Sequence, residues 1–285
     1  MASSNFRPSP IAGLWYEGNP SALAASINSY MDLARLPKLD GKVVAIIAPH
    51  AGHRYSGSVA GYAFACVRGQ SPDLVVIVGP MHHPFQEAIF VSAHKAYSTP
   101  LGSIPIERDL IHKLDEILTN DLGYGITPVL EDPEHSLEIL LPFLQQALVG
   151  EFKLLPLMLR EQTPQVAEKL GHALAQLLQG KNCLLVASTD LSHFYNETKA
   201  CSYDAEMLRQ VESFSPQSVF LAEYNKEGFA CGVGALATVL WAAKDLGADT
   251  VKILKHATSG TVTGDFNRVV GYGSAVVLKT DLPGE

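Results

Sequence analysis

The sequence has few cysteines and little positive charge. Its four cysteines are scattered, with no C-x-x-C pair, at Cys66, Cys183, Cys201 and Cys231. This spacing gives no sign of a disulfide framework or a zinc ribbon. Lys and Arg number 21 against 29 Asp and Glu, for a net charge of −8. Because an acidic surface without a basic cluster is a poor match for nucleic acid or anionic lipid, we predict that the protein binds neither.

Long apolar runs are also missing. No stretch reaches the roughly 18 uninterrupted apolar residues that a membrane-spanning helix needs, and residues 1–18 contain no apolar segment of signal-peptide length. We therefore predict a cytoplasmic protein. Apolar residues nevertheless make up 47% of the chain and charged ones only 18%, which is enough for a substantial core. The length of 285 residues suits one large unit, and we predict a single domain over residues 1–285.

Several common catalytic motifs are absent, namely GxxxxGK, G-x-S-x-G and H-E-x-x-H. Their absence removes the usual P-loop, serine-hydrolase and zincin interpretations. A near match to the dinucleotide-binding fingerprint remains at Gly232-x-Gly234-x-x-Ala237, but residues 221–229 before it do not form the apolar strand that this fingerprint requires. Small residues for close helix packing explain the glycines equally well. A nucleotide-cofactor dehydrogenase is therefore the most remote of our hypotheses.

Short apolar runs alternate with amphipathic stretches along the whole chain. We predict strands at residues 42–48, 73–79, 88–92, 152–159, 182–188, 251–256 and 270–278. We predict helices at residues 21–36, 57–67, 106–118, 133–148, 164–179 and 231–246. The strands are almost continuously apolar, which is typical of strands covered on both faces. The sequence thus predicts an α/β fold in which a mixed, largely parallel central sheet is flanked by helices on both faces.

Histidines follow three of these predicted strands. His50 comes after residues 42–48, His82 after 73–79, and His193 after 182–188. In an open α/β sheet, ligands bind outside the carboxyl ends of the strands, so these side chains should meet at one edge. Imidazole is a common transition-metal ligand and also titrates near neutral pH. We therefore predict a metal or proton-transfer site here, and we expect the nearby His53 to be exposed.

Two further residues are candidates for the same site. His135 falls in the first turn of the predicted helix 133–148, for which Asp132 is a good N-cap; it either acts as a neutral imidazole or only packs. Cys231 lies at the start of the predicted helix 231–246. A helix N-terminus lowers the pKa of a thiol and favours the thiolate that binds metal, although Cys231 could equally be a small residue among glycines.

The order of these motifs resembles the Memo family over about residues 10–278. The resemblance is carried by Pro49-His50-Ala51-Gly52, Gly79-Pro80-Met81-His82-His83, Glu134-His135-Ser136-Leu137-Glu138, Ser188-Thr189-Asp190-Leu191-Ser192-His193 and Cys231-Gly232. This family is similar to the class III extradiol dioxygenases, which hold non-haem Fe(II) on two histidines and a carboxylate. The resemblance thus implies an extradiol dioxygenase-like fold. His53 departs from the pattern, because a tyrosine is common at that position.

The resemblance also implies roles for particular residues. His50 and His82 correspond to metal ligands, and Cys231 corresponds to a cysteine ligand in place of the dioxygenase carboxylate. His193 corresponds to the acid/base histidine, with Asp190 beside it to orient it or to bind the metal. His135 is then a neighbour that tunes or replaces His193. The metal is expected to be Fe(II), with copper and zinc as alternatives because a thiolate is a soft ligand.

Two main hypotheses follow for the function. The first is a metal-dependent oxidoreductase acting on a small organic substrate. The second is a metal-binding or peptide-binding module that has kept the fold and lost turnover. In microbes, members of the family occur beside a radical-SAM protein and an AMMECR-type protein, so the resemblance implies both as partners.

Overall fold

The computed structural model describes residues 5–280; residues 1–4 and 281–285 of the predicted domain lie outside this range. The strands are β1 (Phe6–Arg7), β2 (Lys42–Ala48), β3 (Leu74–Pro80), β4 (Ile89–Ser92), β5 (Ala96–Thr99), β6 (Gly102–Pro105), β7 (Thr127–Val129), β8 (Lys153–Leu159), β9 (Cys183–Ser188), β10 (His193–Tyr195), β11 (Thr250–Thr258) and β12 (Val269–Lys279). The helices are α1 (Pro20–Asp32), α2 (His53–Ala65), α3 (Arg108–Leu122), α4 (Leu141–Ala147), α5 (Pro164–Leu178), α6 (Glu197–Glu212), α7 (Pro216–Tyr224), α8 (Val233–Asp245) and α9 (Gly260–Thr263).

The main sheet has a parallel centre and antiparallel flanks. Its order is β10-β12-β2-β9-β3-β8-β4-β7, with β11 paired to the other side of β12. The four central strands β2, β9, β3 and β8 are parallel to one another. β12 runs antiparallel to β2, and β4 runs antiparallel to β8. A small second sheet has the order β1-β5-β6. The prediction of a mixed α/β sheet is therefore confirmed.

Helices cover both faces of this sheet, which explains why its central strands are so apolar. Every residue of β3 is buried. Helices α1, α2 and α4 pack together on one face, while α3, α5 and α8 form a layer on the other, with α7 against α8. Helix α5 begins as predicted, with Pro164 as its first residue and the Thr163 hydroxyl accepting a hydrogen bond from the Val166 amide.

The predicted helix 133–148 is wrong in its first half. Helix α4 begins only at Leu141, after a 3₁₀ turn at Glu138–Leu140. The carboxylate of Asp132 accepts a hydrogen bond from the Glu134 amide, and the carboxylate of Glu134 accepts hydrogen bonds from the amides of His135 and Ser136. Local side-chain acceptors thus satisfy these amides without a helix, which is the competition that disfavours acidic residues in helix interiors.

Other elements escaped the sequence prediction. Helices α6 and α7 were not predicted, nor were the short strands β1, β5, β6, β7 and β10. Helix α6 has a regular cap, in which the Asn196 side chain accepts a hydrogen bond from the Lys199 amide. Its sequence, however, is mostly polar, so that the apolar periodicity is weak. Within residues 5–280, no helix combines the length and the apolar character needed to cross a membrane.

Candidate metal centre

Three of the four central strands, β2, β3 and β9, each place a polar residue two positions beyond their last residue. These residues are His50, His82 and Asp190, and they meet at the carboxyl edge of the sheet. The His50 and His82 rings lie 5.2 Å apart, edge to face. The His82 and His135 rings stack at 4.8 Å. One nitrogen from each of these three histidines lies within 4.8 Å of the others, so together they could hold a metal ion.

The hydrogen bonds of His50 determine which ring nitrogen faces this cluster. Its Nδ1 lies 2.9 Å from the Ser188 hydroxyl, which itself donates to the Ser136 carbonyl at 2.5 Å. Since the hydroxyl proton is already used, Nδ1 must donate, and Nε2 presents its lone pair to the cluster, where Cys231 Sγ lies 3.2 Å away. Burial, with the neighbouring histidines, lowers the pKa of His50 well below its usual range. The His50 ring is therefore neutral, which is the form in which imidazole binds a metal.

His82 is oriented by the buried carboxylate of Glu134. Glu134 belongs to one of the motifs of the sequence, but no role was predicted for it. Glu134 accepts hydrogen bonds from the His82 amide at 2.6 Å and from His82 Nδ1 at 2.9 Å. Burial opposes its ionisation, but these bonds and the nearby histidines together hold the pKa of Glu134 well below its usual range. A carboxylate on Nδ1 directs Nε2 of a histidine toward a metal and makes it more basic.

Cys231 lies beside the histidines. Its Sγ is 3.2 Å from His50 Nε2 and accepts a hydrogen bond from the Asp190 amide at 3.2 Å. The expectation that it begins a helix is wrong, because α8 begins at Val233. Burial and the Asp190 carboxyl raise the pKa of this thiol. The expected lowering by a helix N-terminus is therefore absent, and a metal ion would be needed to hold the sulfur as a thiolate.

The contacts of Asp190 differ from the predicted ones. Its carboxyl group accepts hydrogen bonds from the amides of His50 at 2.7 Å and Ala51 at 3.3 Å. Burial raises the pKa of Asp190 to about 7 despite these bonds. The side chain thus joins the end of β9 to the loop after β2. The expectation that it orients His193 is wrong, because His193 Nδ1 instead donates to the Leu191 carbonyl at 2.8 Å.

His193 is the first residue of β10, and the pairing of this strand with β12 shifts register between His193 and Tyr195. The ring is half-buried and meets Phe194 and Phe229 edge to face, each at 5.6 Å. Burial lowers the pKa of His193, while the bond to Leu191 and the Asp204 carboxylate raise it. With Nδ1 used as a donor, Nε2 can accept a proton.

His135 packs against an aromatic ring and a second imidazole. Its ring centre lies 4.3 Å from that of Trp15 and 4.8 Å from that of His82. Burial lowers the pKa of His135 to about 4, so the ring is neutral at physiological pH. The helix N-terminus proposed for this effect does not exist at residue 135. The neutral state was predicted, but its cause is desolvation.

His53 is buried, which corrects the expectation that it is exposed. Only 5% of it is accessible, its Nε2 donates to the Ile139 carbonyl at 2.8 Å, and its ring packs on Phe143. Burial lowers the pKa of His53 to about 4. Its backbone amide also donates to the Trp15 carbonyl, so this residue joins α2 to the segment that carries Trp15.

The glycines near Cys231 serve packing. A Cβ on Gly232 would lie 2.6 Å from the Ser188 carbonyl oxygen, so a side chain cannot fit there. The segment before α8 is helix α7 followed by a turn, in place of the strand that a dinucleotide fingerprint needs. The dehydrogenase hypothesis thus has no structural support in the described residues.

The donor atoms at this edge suit a transition metal. They are two imidazoles whose Nδ1 groups are engaged, a third imidazole stacked on one of them, and a cysteine sulfur within 3.2 Å of the first. Nitrogen and sulfur donors select iron, copper or zinc over magnesium or calcium. The fold and the site therefore define an α/β protein with a possible mononuclear metal centre at the carboxyl edge of its parallel strands.

Comparisons with known proteins agree with this class. A family model described as "Memo-like protein" matches residues 7–276, and the chain belongs to the Memo family. A MEMO1 family protein of Thermotoga neapolitana is 36% identical, over 94% of this chain and 98% of the other. One from Nitrosopumilus maritimus is 32% identical, over 93% of this chain and 96% of the other.

One solved structure supports the fold alone. The uncharacterized protein JW3007 of Escherichia coli K12 superposes with a TM-score of 0.54 and 16% identity, covering 82% of this chain and 100% of that one. The fold class predicted from the sequence is thus shared with a known structure, while the identity is too low to transfer chemistry.

Proposed function

We propose that this protein is a metal-dependent oxidoreductase that binds one Fe(II) ion through His50, His82 and Cys231. The observation that carries the proposal is the cluster at the carboxyl edge, where ring nitrogens of three histidines lie within 4.8 Å and Cys231 Sγ lies beside His50. Two imidazoles and one anionic ligand would hold an iron ion and leave positions open for O₂ and a substrate. When bound there, iron would supply the electron transfer that oxygen chemistry needs.

The proposed role of His193 is proton transfer to or from a small organic substrate. Its Nδ1 donates to the Leu191 carbonyl, and its lowered pKa favours the neutral ring, whose Nε2 can accept a proton. The Phe194 and Phe229 rings contact it edge to face. Asp190 acts on the geometry of the site by fixing the His50 loop, and His135 stacks on His82 as a second neutral imidazole.

The alternative is a binding module that has lost turnover. The feature that favours it is the exposed apolar rim, where Leu14 is 80% and Trp15 39% accessible, next to His135. Such a rim suits contact with a peptide side chain as well as with a small substrate. We also propose a cytoplasmic location, which rests on the sequence prediction, and association with AMMECR-type and radical-SAM proteins, which rests on the family resemblance.

The test is anaerobic purification followed by metal analysis and oxygen-uptake measurements over a panel of small organic substrates. The proposal expects about one equivalent of iron and substrate-dependent consumption of O₂. Bound metal without O₂ uptake by any substrate would favour the binding module, and no bound metal after reconstitution would remove both metal hypotheses. A His135→Ala variant that keeps its metal would leave His135 as a neighbour of the centre, whereas loss of the metal would make it a ligand.

A further inference from the structure

Gln162 occupies a rigid position at the same sheet edge. It follows β8, in the short connection between that strand and α5. The two residues before it are tied down, because the amides of Arg160 and Glu161 both donate to the Ala88 carbonyl, at 2.9 and 3.2 Å. The residue after it, Thr163, caps α5. The backbone of Gln162 is thus fixed from both sides.

Both ends of the Gln162 amide are used by the segment that carries Cys231. Its Nε2 donates to the Cys231 carbonyl at 2.8 Å, and its Oε1 accepts from the Gly234 amide at 2.9 Å. The side chain also packs closely, since a Cβ on Gly234 would lie 2.9 Å from the Cβ of Gln162. The contact therefore requires both the glutamine amide and a glycine facing it.

The other side of Cys231 is held by the end of β9. The Cys231 amide donates to the Asp190 carbonyl at 3.1 Å, and the Gly232 amide donates to the Thr189 hydroxyl at 2.9 Å. The peptide that follows Cys231 is thus held at its amide by Thr189 and at its carbonyl by Gln162. Since the direction of a side chain depends on the two peptide planes that flank its Cα, the position of Sγ depends on both attachments.

We infer that Gln162 is a positioning residue that orients the sulfur of Cys231 toward the metal centre. The inference rests on the proposed function, because it takes Cys231 as a ligand. Hydrogen-bond partners of this kind, outside the ligands themselves, are worth about 10–100-fold in metal affinity. Without the amide of Gln162, the peptide after Cys231 keeps only the bond from the Gly232 amide to Thr189, and we expect Sγ to shift from its place 3.2 Å from His50 Nε2.

The experiment is a titration of the metal-free protein with Co(II), followed by its absorption spectrum. A thiolate bound to cobalt gives a charge-transfer band in the near ultraviolet that histidine ligands do not give, so the band reports on Cys231 directly. The variants are Gln162→Met, which removes both hydrogen bonds, and Gln162→Glu, which keeps an acceptor for Gly234 but has no donor for the Cys231 carbonyl. The matched control is Gln145→Met, because the Gln145 amide also makes two hydrogen bonds, to Thr99 and Gly102, on another part of the protein.

We expect the band in the wild type and in Gln145→Met. In both Gln162 variants it should be weakened or shifted, with the Kd for Co(II) raised about 10–100-fold. Circular dichroism verifies the fold of each variant, and if Gln162→Met does not fold, the Gln162→Glu result decides. If the folded Gln162 variants show the band at the wild-type intensity and wavelength, with the wild-type Kd for Co(II), the inference is overturned and the proposed metal site stands. A wild type that binds Co(II) without the band would instead overturn Cys231 as a ligand, and the inference with it.

Discussion

At the scale of single residues, the chemistry of the site depends on which ring nitrogens are already engaged. Ser188 and Glu134 occupy Nδ1 of His50 and His82, and the Leu191 carbonyl occupies Nδ1 of His193. All three rings therefore keep Nε2 for a metal or a proton. No role was predicted from the sequence for Ser188 or Glu134, and the third partner is a backbone carbonyl.

Replacing Cys231 by serine tests the ligand assignment. A neutral hydroxyl is a poor ligand, so Cys231→Ser should weaken metal binding tenfold or more, as measured by competition with a chelator. Cys201→Ser, on α6, is the control for loss of a half-buried thiol and should bind as the wild type does. The assignment of the histidines fails if the double variant His50→Ala, His82→Ala still binds one equivalent as tightly as the wild type.

His193 should matter for turnover and not for metal binding. A nitrogen that is bound to a metal cannot carry a proton, so an acid/base histidine must be free of it. His193→Ala is therefore expected to keep its metal and to lose about 10²–10⁴ in kcat, the usual contribution of general acid–base catalysis. Loss of metal from this variant would make His193 a ligand, and an unchanged kcat would exclude it from the mechanism.

At the scale of elements, strand β1 stabilises the loop that carries His135. The buried Arg7 of this strand pairs with Asp132 at 2.6 Å and with Glu138 at 2.5 Å, and it also donates to the Glu134 carbonyl. Because these groups lie in the core, the attraction between them is not screened by water. A two-residue strand thus holds together the segment where a helix was predicted.

Arg7→Met should destabilise the protein strongly. The change leaves two carboxylates buried without their cation, for which the cost is about 3–5 kcal/mol in the free energy of unfolding. Urea denaturation measures it. Arg68→Met is the matched control, because Arg68 makes an exposed ion pair with Asp32 and should cost less than about 1 kcal/mol. Equal effects from the two variants would contradict a special role for the buried network.

Helix α7 carries a pH-sensitive carboxyl group. Burial raises the pKa of Glu223 to about 7, from an ordinary value of 4.5. Because the folded-state value is the higher one, the folded state binds the proton more tightly, and stability falls as pH rises between about 4.5 and 7. Glu223→Gln should remove this dependence from the melting temperature, whereas Glu227→Gln in the following turn controls for the loss of a charge. A slope unchanged by Glu223→Gln would contradict the effect of burial.

At the scale of the whole molecule, the acidic balance predicts weak interaction with nucleic acid. The net charge is −8, and the sequence has no basic run to bind phosphates. A mobility-shift assay with a generic DNA duplex at low salt should therefore detect no complex at micromolar protein. A tight, salt-sensitive shift would contradict this prediction.

The periodicity of the sequence predicted the central strands well because they are buried on both faces. The strands at residues 42–48 and 73–79 were placed within one residue at each end, and the positions after them supplied His50 and His82. An apolar run flanked by Pro and Gly leaves few other structures for the chain. Helix α6 was missed for the opposite reason, since a polar helix has little periodic signal.

The sequence by itself determined the layered α/β fold and the edge where the histidines gather, because both follow from local apolar patterning and from the rule that parallel strands end together. Only the tertiary structure decided the surroundings of each side chain. Asp132 was a plausible cap until Arg7, 125 residues away, was found to bind it. Likewise, Gln162 and Cys231, 69 residues apart, meet only in the folded chain. Burial and long-range pairing set pKa values and orientations, and neither leaves a periodic trace in the sequence.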